Sequence, residues 1–99
     1  MAARAIKIGI LVGEISGDAL GAKLVRALRA AFDGQAIDYC AVSGPLMQAE
    51  GVPSLFPLED IAVMGIVPVI KRLPSLLKRI RQTADALIAF EPDILVLID

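Results

Sequence analysis

The chain contains no histidine, which excludes within its 99 residues a Ser-His-Asp triad, an imidazole metal site or a histidine proton shuttle. Its one cysteine, Cys40, has no partner for an intrachain disulfide; inside the apolar run IDYCAV it reads as a small buried hydrophobe. Charge of neither sign prevails. Ten basic and eleven acidic residues leave a net charge of −1, so the chain as a whole has no electrostatic affinity for nucleic acid. Long hydrophobic runs are also missing: the stretch IAVMGIVPVI, Ile61 to Ile70, is interrupted by Gly65 and Pro68 and falls well short of the roughly 20 apolar residues of a spanning helix. The opening MAARAIKIG has no signal-peptide core or cleavage site, since its apolar run breaks at Gly13-Glu14, and the expected location is cytoplasmic. No internal repeat, low-complexity tract or linker is present.

What the sequence does have is apolar material. Hydrophobic residues make up 57% and charged residues 21%, which excludes intrinsic disorder and suits a domain that buries strands on both faces. The length fits one domain or part of one, and the ending LVLID, a strand-like run closed by Asp99, reads as the front of something longer.

Residues 5–12, AIKIGILV, read as a buried strand. From Asp18 to Phe32 the period becomes helical, with Leu20, Leu24, Leu28 and Ala31 on one face, Ser16 or Asp18 as the natural N-cap and Asp33-Gly34 as the stop. AIDYCAV, 36–42, is a second strand; SGPLMQAEG holds a turn with about one helical turn, and PSLF, 53–56, is a candidate third strand. Pro74 is expected to open a longer helix carrying Leu73, Leu77, Ile80, Ala84 and Leu87, which EPD ends before the last strand, ILVLID. Strands alternating with helices imply right-handed crossovers and a Rossmann-like α/β fold with a parallel sheet, expected order 3-2-1-4. Ligands of such sheets bind where the winding reverses, at the carboxyl ends of the strands. GEISGD, 13–18, and Asp99 are expected to meet there.

A glycine-containing turn that opens a helix exposes unpaired N–H groups and the positive end of a dipole, which suits a phosphate or a polar sugar edge. Gly13 and Gly17 allow close approach, and Ser16 can donate or accept; the plainer reading is that Ser16 caps the helix and Glu14 is solvated. Asp99, after five apolar residues, stands where a carboxylate could accept a proton, or where it could cap the next element. AVMGIVPVIKRL joins apolar to basic residues, as expected for a loop meeting lipid headgroups or an acyl chain, although Met64 and Ile66 would equally serve as core.

Four stretches in order, GEISGD…LGAKLVRAL, SGPLMQAEGV, LEDIAVMGIVPVI…RLPSLL and EPDILVLID, resemble the N-terminal quarter of the lipid-A-disaccharide synthase family. The resemblance implies an inverting glycosyltransferase with two Rossmann-like domains (GT-B type), of which residues 1–99 would be an incomplete, acceptor-side N-terminal part lacking the donor-binding domain. The implied reaction moves 2,3-diacylglucosamine from its UDP donor to 2,3-diacylglucosamine 1-phosphate, with UDP-sugar as substrate, no cofactor or metal, and peripheral contact with inner-membrane lipid. It further implies that Asp99 is the catalytic carboxylate and that Glu14, Ser16 and Met64 border the cleft, beside Gly13, Gly17 and Asp18 of the same turn. Ser43 and Leu46 flank Gly44-Pro45 where the family usually has glycine and arginine, and Pro68 stands in place of a common glutamate. The alternative reading is a non-catalytic Rossmann-like module that binds a nucleotide or phosphosugar.

Overall fold

A computed structural model describes residues 4–62 and 69–98. Three strands, β1 (Ile6–Val12), β2 (Ile37–Val42) and β3 (Ile94–Ile98), form a parallel sheet in the order β2-β1-β3. Helix α1 (Ile15–Ala31) joins β1 to β2, and the short α2 (Pro45–Ala49), a single 3₁₀ turn at Leu58–Asp60 and the long α3 (Val69–Phe90) precede β3. The chain therefore winds outward from β1 to β2 and comes back across β1 to β3, the reversal that defines a Rossmann-like switch point.

Alternation along β1 sets the two faces. Ile8, Ile10 and Val12 join Ala22 and Val25 of α1, Met47 of α2 and Val52 in one core cluster. On the opposite face Lys7 lies 5.7 Å from the centre of the Phe90 ring, and Gly9 leaves room for α3: a Cβ there would come within 3.0 Å of Leu87 and Leu95. A strand glycine here marks a close approach of helix and sheet.

Three expectations are corrected. The helix α1 starts at Ile15, so Asp18 lies in its first turn and the N-cap is Glu14, with extended backbone and no side-chain cap bond. Its buried face is Gly17, Asp18, Gly21, Ala22 and Val25, while Leu20 points to solvent. The small residues win because they let α1 settle onto the sheet and against Met47, whose side chain fills the space a Cβ on Gly21 would need. Secondly, PSLF makes no strand. Pro53 opens it and Pro57 follows it, neither with an N–H group, and one backbone bond, Leu55 N–H to the Ala41 carbonyl at 2.9 Å, ties it to β2. Thirdly, α3 begins at Val69 and carries Pro74 inside its second turn, where proline removes only the bond to the carbonyl of residue 70.

The far end of α3 closes as Pro92 demands: Glu91 takes the left-handed conformation, φ 52°, while its N–H still reaches the Leu87 carbonyl at 3.0 Å. Glycine is the residue suited to that backbone. Glu91→Gly is expected to raise stability by about 0.5 to 1 kcal/mol, read as a higher urea midpoint; an unchanged or lower midpoint would show that the glutamate costs nothing there.

Candidate functional site

The carboxyl ends of β1 and β3 are level. Val12 pairs with Ile98, and the Gly13 N–H donates to the Ile98 carbonyl at 3.0 Å. The residue that opens the turn and the residue that precedes Asp99 are thus joined by a hydrogen bond at one rim of the sheet. Asp99, Met64 and Pro68 themselves lie outside the described residues.

Within the turn, residues 13–16 are exposed and Gly17 and Asp18 are buried. The Ser16 hydroxyl donates to Glu14 Oε2 at 3.4 Å and does not cap the helix; the Gly17 N–H goes back to the Glu14 carbonyl at 3.0 Å. The start of α1 therefore presents Glu14 and Ser16 to solvent at the switch point, with no side-chain cap over its first N–H groups.

Asp18 behaves differently from its neighbours. Only 2% exposed, it turns toward the loop after β2 and accepts three backbone N–H bonds: Oδ1 from Gly44 at 3.1 Å and Met47 at 3.0 Å, Oδ2 from Leu46 at 2.8 Å. It caps α2, whose own N-cap, Gly44, has no side chain to offer. A Cβ on Gly44 would sit 2.6 Å from the Asp18 carboxyl group, so glycine is required for this approach. With its oxygens filled from within, Asp18 fixes the distance between two rim loops instead of facing a guest.

Ser43 completes the junction. Fully buried, it donates its hydroxyl to the Val52 carbonyl at 3.0 Å and its N–H to Ser54 Oγ at 2.9 Å, while its carbonyl accepts from Gln48 Nε2 at 3.1 Å. Ser54 in turn donates to the Phe56 carbonyl at 2.6 Å. These side chains replace the ladder that PSLF does not form. Sequence reasoning missed Ser54 and Gln48; the signal that could have found them was a proline-initiated α2 without a capping side chain of its own.

Two hollows flank the rim. An open cleft of about 840 Å³ lies beside Ser43, Gly44, Gln48, Ser54 and Glu59. A second, apolar one of about 400 Å³ runs between the sheet and α3 and reaches the rim at Val12, Gly13 and Ile98. Of the turn, only Gly13 lines either hollow. Among the described residues no three histidine, cysteine, aspartate or glutamate side chains gather as a metal site, and no helix is long and apolar enough to cross a membrane. Cys40 is buried, and burial pushes its thiol pKa up.

A sequence model of the lipid-A-disaccharide synthetase family matches residues 8–99, from β1 to the chain's last residue. The chain belongs to the lipid-A-disaccharide synthase family. It is 50% identical over 93 residues to the lipid-A-disaccharide synthase of Nitrobacter hamburgensis, covering 94% of this chain and 23% of that protein. The corresponding protein of Pseudomonas fluorescens strain Pf0-1 is 49% identical over 94 residues, 95% of this chain and 24% of its own length. That of Sodalis glossinidius is 48% identical over all 99 residues, which are 25% of it. The chain thus spans about a quarter of the synthases it matches and forms the Rossmann-like N-terminal part of the family's fold.

In this synthase segment a cluster away from the rim anchors α2 to α1. The Glu50 carboxylate accepts from Arg26 at 3.0 Å and Arg29 at 3.1 Å, and Arg29 also donates to the Glu50 carbonyl at 2.6 Å. Hydrogen bonds from Arg26, then Arg29, hold the Glu50 pKa below its ordinary 4.5. A carboxylate with a lowered folded-state pKa stabilises the fold above its ordinary pKa, and that contribution disappears as pH falls through the folded value. The urea midpoint is accordingly expected to drop as pH is lowered from about 4.5. Asp93, lowered by Arg4 and the Lys7 N–H, adds to the same acid slope, so Glu50→Gln should flatten it in part. An acid slope identical with and without Glu50 would remove the ion pairs from the account.

Proposed function

We propose that this segment is the acceptor-side portion of an inverting glycosyltransferase. The whole polypeptide would transfer 2,3-diacylglucosamine from its UDP donor to 2,3-diacylglucosamine 1-phosphate, releasing UDP. The observation that carries the reading is the hydrogen bond between Gly13 and Ile98, which puts the exposed Glu14 and Ser16 at the same rim as the residue before Asp99. Family membership supports the reaction class.

In this reading Asp99 takes the proton of the acceptor hydroxyl while that oxygen bonds to the anomeric carbon of the donor. The carbon's bond to the UDP oxygen breaks on the opposite face, and UDP leaves with the electron pair. A carboxylate so placed also offsets the positive charge that develops on the sugar ring. Ser16 and the uncapped N–H groups of α1, with Gly13 and Gly17 allowing close approach, would hold a phosphate or sugar hydroxyls, and Glu14 would accept from a hydroxyl. Asp18 contributes by holding the loop after β2 in place. The family resemblance implies that neither metal nor cofactor takes part, and an unchanged rate in EDTA is expected.

Acyl chains on both substrates call for lipid contact. The segment 62–73 would meet the headgroup layer: Leu73 is exposed at the start of α3, beside exposed Lys71, and Met64 would lie in the same contact.

The test is UDP release by the full-length synthase carrying this segment. UDP should appear only when donor and acylated acceptor are both supplied. Release that ignores acylation of the acceptor would point to a different transferase, and tight binding of UDP-sugar without release to a binding module.

A further inference from the structure

Helix α3 is longer than the sheet it covers. Leu87 packs against Gly9 and Lys7 lies over the Phe90 ring, so the end of the helix is level with the start of β1. From Gly9 to Val12 the strand climbs about 10 Å, a distance that about six or seven helical residues span, and α3 accordingly passes the rim near Ile80. Ile80 and Thr83 share the apolar hollow with Val12, Gly13 and Ile98, whereas no residue of α3 before Arg79 lines it. Residues 69–78 therefore run on past the rim for about 15 Å, close to three turns. A guest at the switch point lies with the start of α1 on one side and this overhang on the other.

An overhang of that length does not support itself. Isolated helices so short are marginal in water, and its order depends on what grips α3 at the rim. Leu76 is half-buried there, but apolar contact is non-directional and does not fix the angle of a helix. Among the described residues, side-chain hydrogen bonds from α3 to the rest of the fold leave from Arg79 and Gln82. Arg79 uses its whole guanidinium group. Nη2 donates to Asp60 Oδ2 at 2.5 Å, Nη1 donates to Gln82 Oε1 at 2.8 Å, and the group stands 5.0 Å from the centre of the Phe56 ring. Gln82, oriented by that bond, donates on to the Leu55 carbonyl at 3.4 Å. The loop so gripped is itself fixed, since Ser54 accepts from the Ser43 N–H just past β2 and donates to the Phe56 carbonyl.

We propose that Arg79 is a positioning residue: through Asp60 and Phe56 it sets the angle at which the overhang of α3 stands over the switch point, and with it the width of the space in which the acceptor binds. The part that concerns the acceptor rests on the acceptor-side reading above; the grip on α3 does not. Arginine suits the task better than lysine, because one planar group meets a carboxylate, an amide oxygen and an aromatic face together. Arg79 bonds to neither Glu14 nor Ser16, so its loss should weaken acceptor binding and spare the chemical step.

The experiment uses the full-length synthase carrying this segment and reads acceptor KM, kcat and amide hydrogen exchange. Arg79→Gln should raise KM for the acylated acceptor about fivefold or more with kcat within about twofold, Asp60→Asn should do the same, and Arg79→Lys should fall between. Exchange at residues 75–79 should quicken about tenfold or more in Arg79→Gln and stay unchanged at residues 84–90. Arg26→Gln is the control, since it breaks an ion pair to Glu50 and should move neither KM nor that exchange. Should Arg79→Gln fail to fold, Asp60→Asn and Arg79→Lys are compared in its place. A synthase that releases no UDP fails the reaction proposed above, and exchange then decides the grip of Arg79 by itself. An unchanged KM in active Arg79→Gln, or exchange that quickens equally along all of α3 or not at all, overturns the inference. A KM that rises as far with Arg26→Gln does so too, because it marks general loosening.

Discussion

Asp18→Ala is expected to destabilise the fold by about 3 kcal/mol or more, a shift of roughly 10 °C or more in Tm for a domain of this size. The carboxylate is the shared acceptor for three N–H groups, of which those of Gly44 and Met47 are buried. Removing it leaves donors that have no alternative partner in the fold, and each buried unsatisfied donor costs about 1 to 3 kcal/mol. Asp18→Asn should cost less. Its amide oxygen can keep the Gly44 and Met47 bonds, but its NH₂ group then faces the Leu46 N–H. Coupling to Gly44 provides an internal check. Gly44→Ala alone should destabilise, because its Cβ would press on the Asp18 carboxyl group at 2.6 Å; in the Asp18→Ala background the same change should be tolerated. Denaturant midpoints for the two single variants and the double variant measure this, and hydrogen exchange at the Gly44, Leu46 and Met47 amides locates it. Additive effects and unchanged exchange would remove Asp18 from the loop junction.

Asp99→Asn or Asp99→Ala in the full-length synthase is expected to lower kcat by about 10² or more while leaving the unfolding midpoint nearly unchanged. The separation of the two readouts is what matters. A carboxylate that caps a following element would show its loss in stability, and one that takes a proton in the transition state would show it in kcat. The asparagine variant keeps the size and one acceptor oxygen, so a capping role would survive in large part whereas a general base would not. Near-normal kcat in both variants would return Asp99 to capping and leave the rim without a base.

Roles divide within one short stretch. Glu14 and Ser16 are exposed at the switch point, and Asp18, four residues after Glu14, points inward to the β2 loop. Local spacing could not separate them: all three are polar residues at the opening of a helix, and capping, ligand binding and solvation use the same residue types. The decision belongs to Gly44, Leu46 and Met47, which lie 26 to 29 residues away.

The strands β1, β2 and β3, the existence of both long helices and the parallel winding were legible in the sequence, because runs of β-branched and aliphatic residues, helical spacing and stop signals such as Asp33-Gly34 and Glu91-Pro92 act over a few neighbouring residues. The placement of the turn beside the end of β3 followed from that winding. The tertiary structure alone decided which face of α1 is buried, since Gly17 and Gly21 are chosen by close approach to the sheet and Met47 and not by hydrophobicity, so Leu20 was left outside. It also decided that PSLF remains irregular, held by Ser43 and Ser54 side chains, and that Asp18 serves a helix other than its own. In each case the determining partner is distant in sequence, and pattern along the chain records the period of an element but not the atoms that will be brought against it.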